Sequence, residues 1–308
     1  MKLTPCPTDP NVVDLEIDNS DLTLYTSCKR AFLYHVLQKK QFVKERTALF
    51  YGTVIHAVLA EHYKAQADDS ALSFATAANI INDHFSKVTI PDDDFRTANA
   101  AEGLYAHYTD QYPVEDFEIA RDDKNAPLIE VPFRRFLITI EVNGIKYRIH
   151  WCGRIDAIII RNNQLLIMDH KTTSILGAGY FDEFFISQQM SGYCHWARSI
   201  GLPIYGYLIN ALCTRKPTKT GKAYETARQL FTVSDDSLDE WQENITQILV
   251  SLCEDLQNNR FPMETRWCKN KFGKCDFFDV CSAEPSSRHI ILGSGLYEDH
   301  TWSPLNTQ

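Results

Sequence analysis

Apolar positions along the chain recur with two different periods, and the switch between them divides the molecule. From Cys28 to Leu37, Tyr51 to Lys64, Ala71 to Val88 and Phe95 to Tyr112 they return every three or four residues, which predicts four helices. The pattern then shortens. Phe117 to Ala120, Ile129 to Ile140, Lys146 to Ile160 and Leu165 to Lys171 alternate or run apolar, as strands do. Asn143-Gly144 and Arg161-Asn162-Asn163-Gln164 supply the turns of two hairpins. A helix from about Asp182 to Ile200, stopped by Gly201, then leads to a strand over Ile204 to Leu212, a strand-helix-strand return. A further strand near Gln229 to Val233 precedes a helix that runs to about Leu256 and opens on the Ser237-x-x-Glu240 capping box. Residues 1–20 read as a loose N-terminal segment, residues 65–113 as a helical insertion and residues 285–308 as a polar tail. The expected class is α/β.

Composition leaves this picture standing: 44% hydrophobic and 23% charged residues over 308 positions are globular values with enough chain for a sizeable core. No apolar run is long enough to span a membrane, so no membrane partner is expected, and no internal repeat is present. The net charge of -9 argues against a nucleic-acid partner, but its distribution weakens the objection. Lys29, Arg30, Lys39, Lys40, Lys44 and Arg46 form one basic cluster, Arg215, Lys216, Lys219 and Lys222 a second, and Lys269, Lys271 and Lys274 a third, while Asp92-Asp93-Asp94 is acidic. Each cluster suits phosphate contact or an ordinary solvated face. Phe32, Tyr34, Phe272, Phe277 and Phe278 suit base stacking or, for most of them, the core.

Candidate chemistry concentrates in the hairpin GRIDAIIIRNNQLLIMDHKTT. Strand alternation puts Asp169 and Lys171 on one face and Met168 and His170 on the other, with Asp156 on the preceding strand. Carboxylates among such apolar runs cost several kcal/mol each, on the order of a lost ion partner, unless something neutralises them. Mg²⁺ or Mn²⁺ held by carboxylates and a backbone carbonyl is one solution, with the lysine orienting the attacking water. An Asp-Lys salt bridge at a strand end is the other. Cysteine adds a second cluster: three of the nine crowd together as Cys268, Cys275 and Cys281, a spacing that suggests metal ligands. Without an apolar leader a reducing compartment is expected, which disfavours disulfides. Cys6, Cys152, Cys194, Cys213 and Cys253 read as small hydrophobes.

Asp156 with Asp169-x-Lys171 resembles the metal-binding signature of the PD-(D/E)XK nucleases, in particular the RecB-like exonuclease branch, which includes phage-encoded and CRISPR-adaptation exonucleases. Gly52 and His56 in YGTVIHAVLAEHY resemble the branch's G-x-x-x-H motif, and Gln189 and Tyr193 in SQQMSGYCHWARSIG its Q-x-x-x-Y motif. All occur in the family's order. The resemblance implies a restriction-endonuclease-like core over residues 21–284, with a mixed central sheet flanked by helices, a helical N-terminal part and a C-terminal cysteine-rich segment. It implies that His56, Asp156, Asp169 and the carbonyl of His170 hold Mg²⁺ or Mn²⁺, that Lys171 positions the attacking water, and that Gln189 and Tyr193 assist. Cys28, ahead of Lys-Arg-Ala-Phe, is similar to the leading cysteine of iron-sulfur members, so Cys28, Cys268, Cys275 and Cys281 are expected to hold a 4Fe-4S cluster that clamps the two ends of the domain. Structural Zn²⁺ is the alternative. The intervals of six and five residues between the last three cysteines depart from the tighter C-x-x-C pair of many relatives.

The expected activity is metal-dependent exonucleolytic hydrolysis of DNA in recombination, repair or end processing, leaving 5′-phosphates, in the cytoplasm or, for a phage protein, the host cytoplasm. The expected partner is DNA with a free end or single-stranded character, together with a helicase or recombination partner on another chain, since no P-loop is present here. A non-catalytic DNA-end-binding module of a larger complex is the alternative.

Overall fold

The structure, a computed structural model, describes residues 1–43, 47–218, 221–270, 273–301 and 303–305. Lys44, Arg46, Lys219, Lys271 and Phe272 of the sequence clusters lie outside the described residues. The chain begins with β1 (Lys2–Cys6), β2 (Asp9–Ile17), α1 (Asn19–Ser27), α2 (Lys29–Phe32) and β3 (Lys40–Phe42). Helices α3 (Thr47–Ala67), α4 (Phe74–Phe85) and α5 (Ala98–Gln111) come next. Strands β4 (Glu118–Ile119), β5 (Ile129–Val142), β6 (Ile145–Arg161) and β7 (Gln164–Thr173) follow, and α6 (Gln188–Ser199) leads into β8 (Ile204–Thr214) and β9 (Tyr224–Thr232). The chain then forms α7 (Asp235–Asn258), β10 (Lys269–Asn270), β11 (Gly273–Lys274), α8 (Phe278–Ser282), α9 (Arg288–Leu292) and β12 (Tyr297–Asp299). Two compact units result: Met1–Lys44 with Pro132–Arg154 and Asp239–Gln308, and Glu45–Val131 with Ile155–Leu238.

The second unit is built on a mixed sheet. Strands β6 and β7 pair antiparallel from Ala157↔Met168 to Arg161↔Gln164, turning through Asn162 and Asn163 at φ 52° and 60°. That left-handed pair is the backbone a two-residue hairpin requires, and asparagine tolerates it. Strands β7 and β8 are parallel from Leu165↔Ile204 to Thr173↔Cys213, so the chain must cross over between them, and α6 is the crossover. Strand β9 adds antiparallel to β8, and β4 to β6. One face of this sheet packs Ala157, Ile159, Leu166, Met168, Leu208 and Leu212 against α3 and α5. Each fully buried Leu or Ile there contributes about 1.5–3 kcal/mol. Helices α4 and α5, expected as an insertion, belong to the same core through Ala77, Ile81, Leu104 and Tyr108. Helix α6 packs against β8 and reaches Lys171 on the opposite face, so the sheet is flanked by helices as the α/β expectation required.

Two helix starts differ from expectation for the same reason, a serine that prefers to cap. The segment expected as one helix from Asp182 divides at Ser187, whose extended backbone ends a 3-10 turn (Asp182–Ile186) and whose Oγ accepts the Met190 N–H at 3.3 Å. Helix α7 starts at Asp235, two residues early, because Ser234 and Ser237 exchange N–H···Oγ bonds of 3.1 and 3.2 Å.

In the first unit, residues 2–17 are a strand pair rather than a loose segment. Val13, Leu15 and Ile17 alternate with Asp14 and Glu16; Leu15 and Ile17 are fully buried, and Asp14 meets Arg148 at 2.6 Å. Strand β2 pairs antiparallel with β1 and parallel with β6 from Val12↔Lys146 to Ile17↔Trp151. The helix expected from Cys28 to Leu37 starts one residue later, because Cys28 is extended (φ -159°, ψ 106°) between α1 and α2, and beyond α2 it continues as a π-helical turn over Leu33–Leu37. The supposed tail folds: β12 pairs with β3, and Leu292 and Tyr297 join Cys28, Ala31, Tyr34, Phe277 and Val280 in one apolar cluster. Phe32, Tyr34 and Phe277 are thus core residues. Among the described residues no helix is long and apolar enough to cross a membrane.

Gly206 in β8 has a specific steric duty, since an added Cβ would stand 1.9 Å from the Phe231 carbonyl oxygen of β9. Gly206→Ala is expected to cost about 1–3 kcal/mol of unfolding free energy. A urea midpoint equal to wild type would contradict the close approach of these strands.

Candidate active site

Helix α3 lies close enough to β7 that a Cβ on Gly52 would come within 3.0 Å of Thr172 Oγ1, and one turn later this approach delivers His56 to the sheet. His56 Nδ1 stands 3.4 Å from Asp156 Oδ1. The second oxygen of Asp156 accepts the backbone N–H of His170 at 2.7 Å, just beyond the last β6–β7 ladder pair. Asp169 pairs with Lys171 at 2.7 Å through Oδ2, as an ion pair without hydrogen-bond alignment. Lys171 Nζ also donates to Gln189 Oε1 at 2.9 Å, and Gln189 Nε2 donates to Tyr193 Oη at 3.0 Å. Asp156, Asp169, Lys171, His56, Gln189 and Tyr193 therefore form one connected set within the second unit.

The charges in this set are strongly coupled. Burial opposes ionisation of Asp156, but His56 and then the His170 region outweigh it and hold the carboxyl well below the usual carboxylate range. Burial likewise opposes a charged His56, yet Asp156 pushes it up to about 9. Asp169 is pushed up, by burial first and with Asp156 adding to it, against the pull of Lys171. Lys171 is raised because Asp169 outweighs its desolvation. The side chains of His56 and Lys171 keep 31% and 28% of their exposure while Asp169 keeps 3%, so the carboxylate is sealed and the two cationic groups reach solvent.

His170 has its imidazole on the other face. Its Nδ1 accepts from Asn210 Nδ2 at 2.8 Å, its ring stacks on Tyr63 at 5.6 Å, and burial lowers it to about 3, so the ring is neutral and contributes no ligand toward Asp156. Asn210 continues into a buried network in which Arg228 donates to Asn210 Oδ1 at 3.2 Å, to Tyr108 Oη at 2.6 Å and to both Glu115 oxygens at 2.5 and 2.8 Å.

One acid escaped the sequence reading. Ligand atoms of His56, Glu130 and Asp156 all lie within 4.8 Å of one another, the only such group among the described residues. Glu130 is a lone acid at the start of the apolar β5 pattern with no motif spacing, and what distinguishes it is a left-handed φ of 50°, a conformation non-glycine residues adopt at a cost. The donors of this corner, carboxylate oxygens and an imidazole, fit a hard divalent cation.

The first unit carries the cysteine cluster. Cys28, Cys275 and Cys281 adjoin the same apolar group, and all three other cysteines act electrostatically on Cys281, which burial and these neighbours push up to about 11. The β10–β11 hairpin, paired Lys269↔Lys274, joins Cys268 to Cys275. Cys28 Sγ accepts the Glu264 N–H and Cys275 Sγ the Phe277 N–H, each at 3.4 Å. Cys152, Cys194, Cys213 and Cys253 are buried elsewhere.

A family model described as the PD-(D/E)XK nuclease superfamily matches residues 19–282. No curated protein matches the chain in sequence. Among solved structures, a candidate exonuclease from Eubacterium rectale is similar at 15% identity over 91% of this chain and 93% of that one, with a TM-score of 0.44. The protein SSO0001 is similar at 16% identity over 78% of this chain and 89% of its own, with a TM-score of 0.29.

Arg228→Met would strand the buried Glu115 carboxylate and is expected to cost about 3–5 kcal/mol of stability. Adding Glu115→Gln should restore much of it in a double-mutant cycle, whereas strictly additive losses would contradict the pairing.

Proposed function

Because the chain belongs to the PD-(D/E)XK nuclease superfamily, we propose that it is a divalent-metal-dependent DNA exonuclease of the RecB-like branch, acting in recombination, repair or end processing. The observation that carries the reading is Lys171, held at 2.7 Å from Asp169 and 2.9 Å from Gln189 beside the His56–Asp156 pair. A strand-end salt bridge has no use for the second pair. In this assignment His56, Asp156, Asp169 and the carbonyl of His170 hold Mg²⁺ or Mn²⁺, with Glu130 as a further donor. When bound, the ion supplies a more acidic water and stabilises charge on the scissile phosphate.

The protein's own residues do the positioning. Asp169 keeps Lys171 protonated, so its ammonium donates hydrogen bonds to the attacking water and to the phosphate rather than taking a proton from either. Gln189 removes the lysine's remaining freedom by accepting from Nζ, and Tyr193 fixes Gln189 through the amide nitrogen. Asp156 anchors the β7 backbone through the His170 amide, which orients the neighbouring carbonyl and Asp169 together. Glu115, Arg228 and Asn210 support that strand from the opposite face.

For Cys28, Cys268, Cys275 and Cys281 we assign a 4Fe-4S cluster. Backbone N–H groups donate to two of the sulfurs, as they do to metal-bound thiolates, and the surrounding apolar residues shield the site.

Purified protein with Mn²⁺ is expected to shorten end-labelled DNA from its ends, and Lys171→Ala to slow this at least on the order of a hundredfold while retaining metal binding. Full activity in the variant would contradict the mechanism; DNA binding in EDTA with no cleavage by wild type in Mn²⁺ would favour a binding module. Cys275→Ser is expected to lose the brown absorbance and bound iron and to melt at lower temperature. Unchanged iron content and melting would remove the cluster assignment.

A further inference from the structure

Hydrolysis needs a group that takes the proton of the attacking water, and the residues gathered around the metal site leave that place open. Lys171 is already protonated: burial opposes its charge, but Asp169 first and then Asp156 and Glu183 outweigh it and raise the ammonium above its usual range. His56, pushed up to about 9 beside Asp156, is charged as well. Asp156 has one oxygen at His56 and the other on the His170 amide, and Asp169 is sealed against Lys171. Both are committed to the ion, together with Glu130. A cavity of about 370 Å³ opens beside Lys171, and Tyr180 and Glu183 line it with the lysine. Burial first, then the charges of Glu183 and Asp169, push the Tyr180 hydroxyl up to about 12, so it is neutral and no base. Glu183 differs. It is exposed, and among the described residues no hydrogen bond or ion pair engages its carboxylate, while its charge reaches both Lys171 and Tyr180. The backbone beneath it is nonetheless fixed. Phe184 is buried, its carbonyl accepts Tyr207 Oη at 2.5 Å, and the 3-10 turn that carries Glu183 and Phe184 ends at the Ser187 cap of α6. Two residues past that cap, Gln189 accepts from Lys171 Nζ at 2.9 Å. One short stretch, residues 183–189, therefore fixes Lys171 and presents a free carboxylate to the cavity at its side.

We propose that Glu183 is a further catalytic residue, the general base that takes the proton of the attacking water while Lys171 holds that water in place. The inference rests on the nuclease reading of the same site and adds the destination of the proton to it. Asp169 and Gln189 occupy two of the three donor directions of the Lys171 ammonium, which leaves one for the water. As the water oxygen bonds to phosphorus, its O–H bond breaks and the proton passes to the Glu183 carboxylate. The P–O3′ bond breaks with its electron pair on O3′, which takes a proton from solvent. Because Glu183 is exposed, it returns its own proton to solvent before the next turnover.

The test is chemical rescue in the full-length protein with Mn²⁺ and end-labelled DNA. Glu183→Ala is expected to cleave on the order of a hundredfold more slowly than wild type while binding the same DNA in EDTA with wild-type affinity. Sodium formate should then restore cleavage in proportion to its concentration, because the space left by the side chain admits a small carboxylate, and sodium chloride at the same ionic strength should not. Glu183→Gln, which fills that space with a group that takes no proton, should be equally slow and gain nothing from formate. A misplaced turn or a lost phosphate contact does not produce that pattern. A wild-type rate in either variant, or slow cleavage by Glu183→Ala that formate leaves unchanged, would overturn the assignment and leave the nuclease reading standing. No Mn²⁺-dependent cleavage by wild type would overturn both, and the rate of Glu183→Gln decides the matter if Glu183→Ala does not fold.

Discussion

The amide of His170, just past the end of the β6–β7 ladder, is met by a carboxylate, Asp156 Oδ2, at 2.7 Å. From that bond onward the second unit has to accommodate buried negative charge. Asp156 and Asp169 occupy neighbouring strands where the ladder ends, in surroundings where an unpartnered carboxylate costs several kcal/mol, roughly a whole ion pair. Each partner brought in to answer that charge fixes another element: His56 requires α3 to lie against β7 at Gly52, and Lys171 requires Gln189, which requires α6 to begin at Ser187. Tyr193 then closes the series one turn along the same helix.

The two faces of β7 carry opposite chemistry because a strand alternates. Asp169 and Lys171 look toward α6 and solvent, charged and mutually dependent. His170 between them looks toward α3 and α5, neutral, stacked on Tyr63 and held by Asn210. The Glu115–Arg228 pair beneath Asn210 stiffens that side without touching the acids. Rigid support on one face permits a site of fixed geometry on the other, which is what positioning a phosphate and a water requires.

Much of this was legible in local patterns. Helices α3 to α5, strands β5 to β8, and both asparagine turns follow from periodicity and turn chemistry, and alternation alone put Asp169 and Lys171 on one face. What stayed hidden has physical reasons. Glu130 joins His56 and Asp156 through a backbone conformation that a single acid in an apolar strand does not announce. Glu115 and Arg228 are 113 residues apart, and such a pair has no sequence period. Residues 2–17 carry the alternation of a strand, but they form one only by finding partners far along the chain, β6 among them. The serine caps at Ser187 and Ser234 moved helix starts because local hydrogen bonding outweighed the hydrophobic period around them.

The central claim is that the buried acids and His56 form a divalent-metal site. Anomalous diffraction from crystals soaked in Mn²⁺, recorded at the manganese edge, tests it most directly. The account predicts a manganese peak in contact with His56 and Asp156, lost in Asp156→Asn crystals. Manganese bound elsewhere with none between His56 and Asp156 would contradict it.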